Sequence, residues 1–192
     1  MNNKDKKQIL LGLTGSVASK LGPKLAELLS QCGFEVVVVP TDKALYFFEE
    51  EEIAKIPNCR LVKEADEWPN KRYAKDQEIQ HIEQRKLADL LLIAPLTANT
   101  LTKMAIGLCD NLLTTIFYAW DRKKPIIVAP AMNTVMWENF LTQKHLADLE
   151  TRYHFHVISP VEKKLACGDM GKGAMAGLED IVAKVKEILI VH

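Results

Sequence analysis

Cys167 lies in LACGDMGKGAMA, residues 165–176, close to Gly168, Gly171, Gly173 and Gly177. Glycines at this density permit unusual backbone angles and close approach to a bound molecule. A thiol in such a flexible loop reaches a ligand when the loop closes as a flap, although a plain surface turn accounts for the same glycines. LTGSVASK sets Gly15, Ser16 and Val17 before a helix. A glycine turn at a helix N-terminus offers N–H groups to a phosphate. The segment has neither GxGxxG nor GKT/S, and tight strand-to-helix packing explains one glycine about as well. Thr97, Ala98, Asn99 and Thr100 present two hydroxyls and an amide; they suit a phosphate and are also ordinary helix caps. PAMNTVMW, residues 130–137, contains Asn133, whose amide both donates and accepts, with Met132, Met136 and Trp137 as wall and core. His81, in QHIEQRKLADLL, reads by position alone as a packing or surface residue. No HxxxH or neighbouring cysteine makes it a metal ligand, and Glu78 and Glu83 read as solvated helix-face charges.

These segments follow short apolar runs at Ile9–Thr14, Glu35–Pro40, Asp89–Pro95, Pro125–Pro130 and His154–Ile158. Nearly continuous apolar runs of this length are strands covered on both faces. Between them, helical spacing marks Lys20–Gln31, Asn99–Ile106, Asn111–Trp120 and Thr142–Glu150, and a last helix, Leu178–Ile190, lines up Ile181, Val182, Val185, Ile188 and Leu189. Alternating strands and helices predict an α/β fold: a doubly wound, mainly parallel sheet with helices on both faces, in one domain spanning residues 1–192. The charged stretch Glu49–Gln80, with Pro57 and Pro69, reads as an irregular excursion. Ligands in such sheets bind beyond the carboxyl ends of the strands, where the four segments fall.

Composition narrows the function. Lys plus Arg and Asp plus Glu are both 25 in 192 residues, so no net charge is available to hold nucleic acid or an anionic membrane. Small-molecule chemistry is the expectation. Cys32, Cys59, Cys109 and Cys167 are widely spaced without a CxxC pair, and the N-terminal MNNKDKKQ has no apolar signal region. The expected setting is reducing and cytoplasmic, without disulfides or zinc. The longest apolar runs, Leu90–Ala94 and Pro125–Ala131, are far short of the ~20 residues a membrane helix needs.

In order along the chain, GSVAS (15–19), HIEQRKLADLLLIAPLTANT (81–100), GLCDNLLT (107–114), PAMNTVMW (130–137) and LACGDMGKGAMA (165–176) closely resemble the homo-oligomeric flavin-containing cysteine decarboxylases. Within that family the eukaryotic phosphopantothenoylcysteine decarboxylases of coenzyme A biosynthesis are nearest. The resemblance spans almost the whole chain, apart from the first residues and the region 72–76. It implies noncovalent FMN at Gly15, Ser16, Val17, Thr41, Asp42, Lys43, Thr97, Ala98, Asn99, Thr100 and Ala131. It implies an active-site histidine at His81, a substrate-binding asparagine at Asn133, a proton-donating Cys167, and flap contacts at Lys164, Ala166 and Met175. It also implies a homotrimer with the flavin pocket at a subunit contact, so that His81 acts on a neighbour's pocket. The implied substrate is 4'-phosphopantothenoylcysteine, whose phosphate needs cations; Lys163, Lys164 and Lys172 are candidates by charge.

Two positions depart from the family pattern. Lys20 stands one place earlier than the usual lysine of the first turn, and Ala174 replaces the basic residue common before the Met-Ala of bacterial flaps. Rival expectations are a noncatalytic, phosphatase-inhibitor-like subunit, a decarboxylase of peptide C-terminal cysteines, and prenyl transfer to flavin. His81, Asn133 and Cys167 together in one chain without a long acidic tail argue against the first. The eukaryote-like flap argues against the second, and the third has no need of Cys167.

Overall fold

The computed structural model describes residues 6–70, 72–73, 75–164 and 170–190. In chain order the elements are β1 (Gln8–Leu13), a 3-10 turn (Val17–Leu21), α1 (Gly22–Gln31), β2 (Glu35–Pro40), α2 (Glu50–Ala54), β3 (Cys59–Leu61), α3 (Glu64–Glu67), α4 (Gln80–Leu87), β4 (Leu90–Leu96), α5 (Ala98–Ile106), α6 (Leu112–Tyr118), β5 (Ile126–Pro130), α7 (Thr134–Glu138), α8 (Phe140–Arg152), β6 (Phe155–Val157), β7 (Val161–Lys164), β8 (Met170–Ala174) and α9 (Leu178–Ile190). Six strands form one parallel sheet in the order β3-β2-β1-β4-β5-β6. The chain winds outward from β1 to β3 and then crosses back to β4 on the other side of β1. That reversal opens a crevice beyond the carboxyl ends of β1 and β4, where doubly wound sheets bind ligands.

Apolar runs become these strands because both faces of the sheet are covered. Every residue of β4 and β5 is buried. Successive side chains on a strand point to opposite faces. Ile9, Leu11 and Leu13 of β1 therefore pack with Leu25 and Leu29 of α1 and Ile181 and Val185 of α9. Leu10, Val37, Leu91 and Ile93 face the other layer, with Leu101 of α5, Ile116 and Phe117 of α6, and Leu146 and Leu149 of α8.

Three expectations change. Glu49–Gln80 is not an irregular excursion throughout: it contains α2, α3 and the edge strand β3, which pairs with β2 through Val36↔Cys59, Val37↔Arg60 and Val38↔Leu61. A three-residue strand with an exposed Arg60 carries no apolar run, and its partner rather than its own pattern makes it a strand. The helix expected over Lys20–Gln31 begins as a 3-10 turn and becomes α-helical at Gly22, with Pro23 in its first turn. Proline has no N–H to donate and is tolerated where none is required. Residues 170–174 of the segment read as a glycine loop are strand β8, which pairs antiparallel with β7.

Candidate functional site

The eleven positions implied as flavin contacts, Gly15, Ser16, Val17, Thr41, Asp42, Lys43, Thr97, Ala98, Asn99, Thr100 and Ala131, all line one crevice of about 620 Å³ at the β1/β4 reversal. This size falls within the range of small-molecule and cofactor sites. Gly15 is required by close approach: a Cβ there would collide with Cβ of Lys43, so the turns after β1 and β2 meet only because this side chain is missing. Ser16 Oγ accepts from Ala18 N at 3.2 Å, and Thr97 Oγ1 accepts from Thr100 N at 3.4 Å. The hydroxyls thus act as helix caps and line the crevice as well.

Thr14 does not line the crevice but braces the segments that do, and was overlooked in the sequence, where it reads only as the end of an apolar strand. It is fully buried; its Oγ1 donates to Pro95 O at 2.8 Å and accepts from Thr97 N at 3.0 Å. One hydroxyl thereby joins the ends of β1 and β4 at the point where they diverge. At the rim Lys103 pairs with Asp110 at 2.6 Å, and this hydrogen bond holds the Asp110 carboxyl below its ordinary range. Asn111, beside it, caps α6 by accepting from Thr114 N at 3.1 Å.

His81 is not among the residues lining the crevice. It occupies the first turn of α4, with its side chain about three-quarters buried. Its partner is Glu67 of α3, only 6% exposed: Oε2 accepts from His81 N at 3.0 Å, and Oε1 lies 2.5 Å from Nδ1. Nε2 has no hydrogen-bond partner among the described residues. Two further contacts seat α4. Arg60 of β3 donates to Gln84 Oε1 at 2.6 Å, and Lys124 Nζ donates to the carbonyls of Arg85, Lys86 and Ala88 at 2.7–3.0 Å, closing the C-terminal end of the helix. The only sequence signal for Glu67 was an acid in a charged segment. Among the acids read as solvated, Glu83 does pair on the surface with Lys86.

Asn133 caps α7, its Oδ1 accepting from Met136 N at 2.8 Å. With Oδ1 turned to this cap, the amide N–H groups are the donors the side chain still presents. Asn133 is not a crevice-lining residue, although Met132 and Met136 are. The hairpin lies directly on this loop: Met132 N donates to Gly173 O at 3.0 Å, and a Cβ on Gly173 would collide with Met132 O. Gly173 thus serves close packing of hairpin on loop. Lys164 ends β7 opposite Met170, Met175 is buried with the core, and Lys163 and Lys172 are exposed. Ala166 and Cys167 lie outside the described residues. Of the other cysteines, Cys32 and Cys59 pack against the core, and burial pushes the Cys59 thiol up to about 11. Cys109 is exposed rather than packed, its Sγ donating to Gly107 O at 3.5 Å.

A parallel sheet in this order, with hydroxyls, an amide and a helix N-terminus converging at its reversal point, defines a nucleotide-type cofactor binder of the doubly wound class. The Flavoprotein family matches residues 1–190, and the chain belongs to that family. It is 46% identical over 186 residues to the phosphopantothenoylcysteine decarboxylase of Mus musculus, covering 96% of this chain and 88% of that protein. Among solved structures it resembles a cysteine-to-serine mutant of PPC decarboxylase complexed with pantothenoylaminoethenethiol, with a TM-score of 0.88 and 42% identity, covering 95% of this chain and 97% of that one. The FMN binding protein AtHal3 superposes with a TM-score of 0.86 at 42% identity, over 97% of this chain and 98% of that one.

Proposed function

We propose that residues 1–192 form a single-domain, FMN-dependent decarboxylase that converts 4'-phosphopantothenoylcysteine to 4'-phosphopantetheine. The observation that carries this reading is the 46% identity to a phosphopantothenoylcysteine decarboxylase over 96% of the chain. The crevice suits the cofactor: Ser16, Thr41, Thr97 and Thr100 supply hydroxyls, α5 presents its N-terminal N–H groups to a phosphate, and the missing Cβ of Gly15 lets the turns after β1 and β2 meet at the crevice. Bound flavin supplies a reversible two-electron oxidation of the substrate's thiol-bearing carbon, giving the carbanion left by CO2 loss a C=S group to delocalise into.

The protein's own residues bind, orient and move protons. His81 is the base that takes up a proton during the oxidation, through Nε2, which has no partner among the described residues. Asn133, whose Oδ1 already accepts from Met136 N, holds the substrate's carboxylate or its amide carbonyl through its amide N–H groups. The hairpin lies against the Asn133 loop; the family resemblance assigns the proton donor to Cys167 and the flap's substrate contacts to Lys164, Ala166 and Met175. Lys163, Lys164 and Lys172 are the cations available to the substrate phosphate.

His81 lies outside its own crevice, which supports a homotrimer in which it serves a neighbouring subunit's pocket. Exposed Tyr118, Ile106, Leu108 and Phe140 provide apolar surface for such contacts. The free Cys32, Cys59 and Cys109 support a reducing cytoplasmic location. The test is to follow CO2 and 4'-phosphopantetheine after mixing flavin-loaded protein with 4'-phosphopantothenoylcysteine. Both should appear in equal amounts and only with flavin present. Equal rates on flavin-free protein would refute the cofactor's role, and turnover of a peptide with C-terminal cysteine in place of this substrate would refute the substrate assignment.

A further inference from the structure

We propose that Glu67 is a positioning residue: it holds the ring proton of His81 on Nδ1 and so leaves the Nε2 lone pair free to take a proton. The inference rests on reading His81 as the base, but its central claim, the tautomer, is measured without turnover.

An ionised carboxylate only accepts hydrogen bonds. Glu67 is almost fully buried, and its two oxygens face two groups of the same residue, Oε2 the backbone N–H of His81 at 3.0 Å and Oε1 the ring Nδ1 at 2.5 Å. A ring nitrogen facing a carboxylate oxygen at this distance carries the proton. The neutral imidazole then has its lone pair on Nε2, which is unpartnered among the described residues. When Nε2 takes a proton, the imidazolium forms with its Nδ1–H already directed at a negative charge. The backbone contact matters as much as the ring contact, because gripping N–H and Nδ1 together fixes both the ring's rotation and its height on α4. Glu64, on the same four-residue helix, accepts from Leu112 N at 2.5 Å, next to the crevice-lining Asn111. Helix α3 therefore ties the histidine to the rim of the subunit's own crevice.

Replacement by glutamine gives a sharp test. In E67Q the backbone N–H of His81 can only donate, so the amide oxygen must occupy the place of Oε2. The amide NH2 is thereby turned toward Nδ1 and donates to it. The ring proton must then reside on Nε2, and the lone pair required of a base is lost. The readout is long-range proton–nitrogen NMR on flavin-loaded protein with 15N-labelled histidine, at a pH where the ring is neutral, with His81 assigned by the signal missing from H81N. The wild type should show a protonated Nδ1 and an unprotonated Nε2, and E67Q should show the reverse with unchanged flavin content. Turnover of E67Q should fall on the order of 10²–10⁴-fold, with KM moving less than about twofold. A wild-type ring protonated on Nε2 overturns the proposal, even if E67Q fails to fold. So does an E67Q ring that keeps its proton on Nδ1. A reversed tautomer with full turnover upholds the assigned proton position and removes His81 from the chemistry, which separates this inference from the reading beneath it.

Discussion

The crevice and the flank that carries His81 are built in different ways. In the crevice the chain largely organises itself. Ser16 caps two residues ahead, Thr97 and Asn111 cap three ahead, and the turn after β2 closes from Ala44 N to Thr41 O at 2.8 Å. The flank relies on partners brought from elsewhere. His81 is held from 14 residues away by Glu67, Gln84 from 24 residues away by Arg60, and the end of α4 from 36–39 residues away by Lys124. Local capping makes a site that forms with its helix, whereas distant pairing makes one that exists only once the sheet edge is assembled. The crevice thus rests mainly on local capping and the His81 flank on distant pairing, with Glu64 of α3 joining the two through Leu112 N.

The largest expected effect separates the two regions by function. H81N should retain FMN, because His81 does not line the crevice, while turnover falls on the order of 10²–10⁴-fold. Flavin titration alongside product formation checks this, and loss of flavin would merge the regions into one. T14V should act in the opposite sense. It removes the hydroxyl joining β1 to β4 and strands the Thr97 N–H, at a cost of about 1–3 kcal/mol. Urea denaturation should register that loss, and flavin affinity should drop about tenfold; unchanged affinity would mean the Thr14 bridge does not shape the crevice. K124M should have the smallest effect. Freeing three carbonyls at the end of α4 should cost about 1–2 kcal/mol and appear as faster amide exchange confined to α4, with flavin affinity unaltered. Faster exchange spreading into α5 would show that the flank and the crevice share one support.

The same division governs how much could be read in advance. The crevice was legible because its signals are local: small polar residues directly after apolar runs, each marking a strand's carboxyl end. All eleven positions carried over from the family resemblance line the same crevice. The resemblance also singled out His81, but nothing in the sequence singled out Glu67, since a carboxylate in a charged stretch looks solvated until something buries it. Strand β3 was missed for a related reason, its three residues being ordered by β2 rather than by their own pattern. The hairpin glycines were read as freedom, whereas Gly173 is a contact with Met132.

Sequence alone determined the alternation of strand and helix, the two-sided burial of the sheet and the positions of the capping turns, because hydrophobic periodicity and cap chemistry act over a few residues. The tertiary structure alone decided that Thr14 bridges two strands, that Glu67 is buried against an imidazole, and that His81 lies apart from its own crevice. Those outcomes depend on which distant groups share a low-dielectric space once the chain has crossed back over β1, and residue order does not encode such proximity in any local pattern.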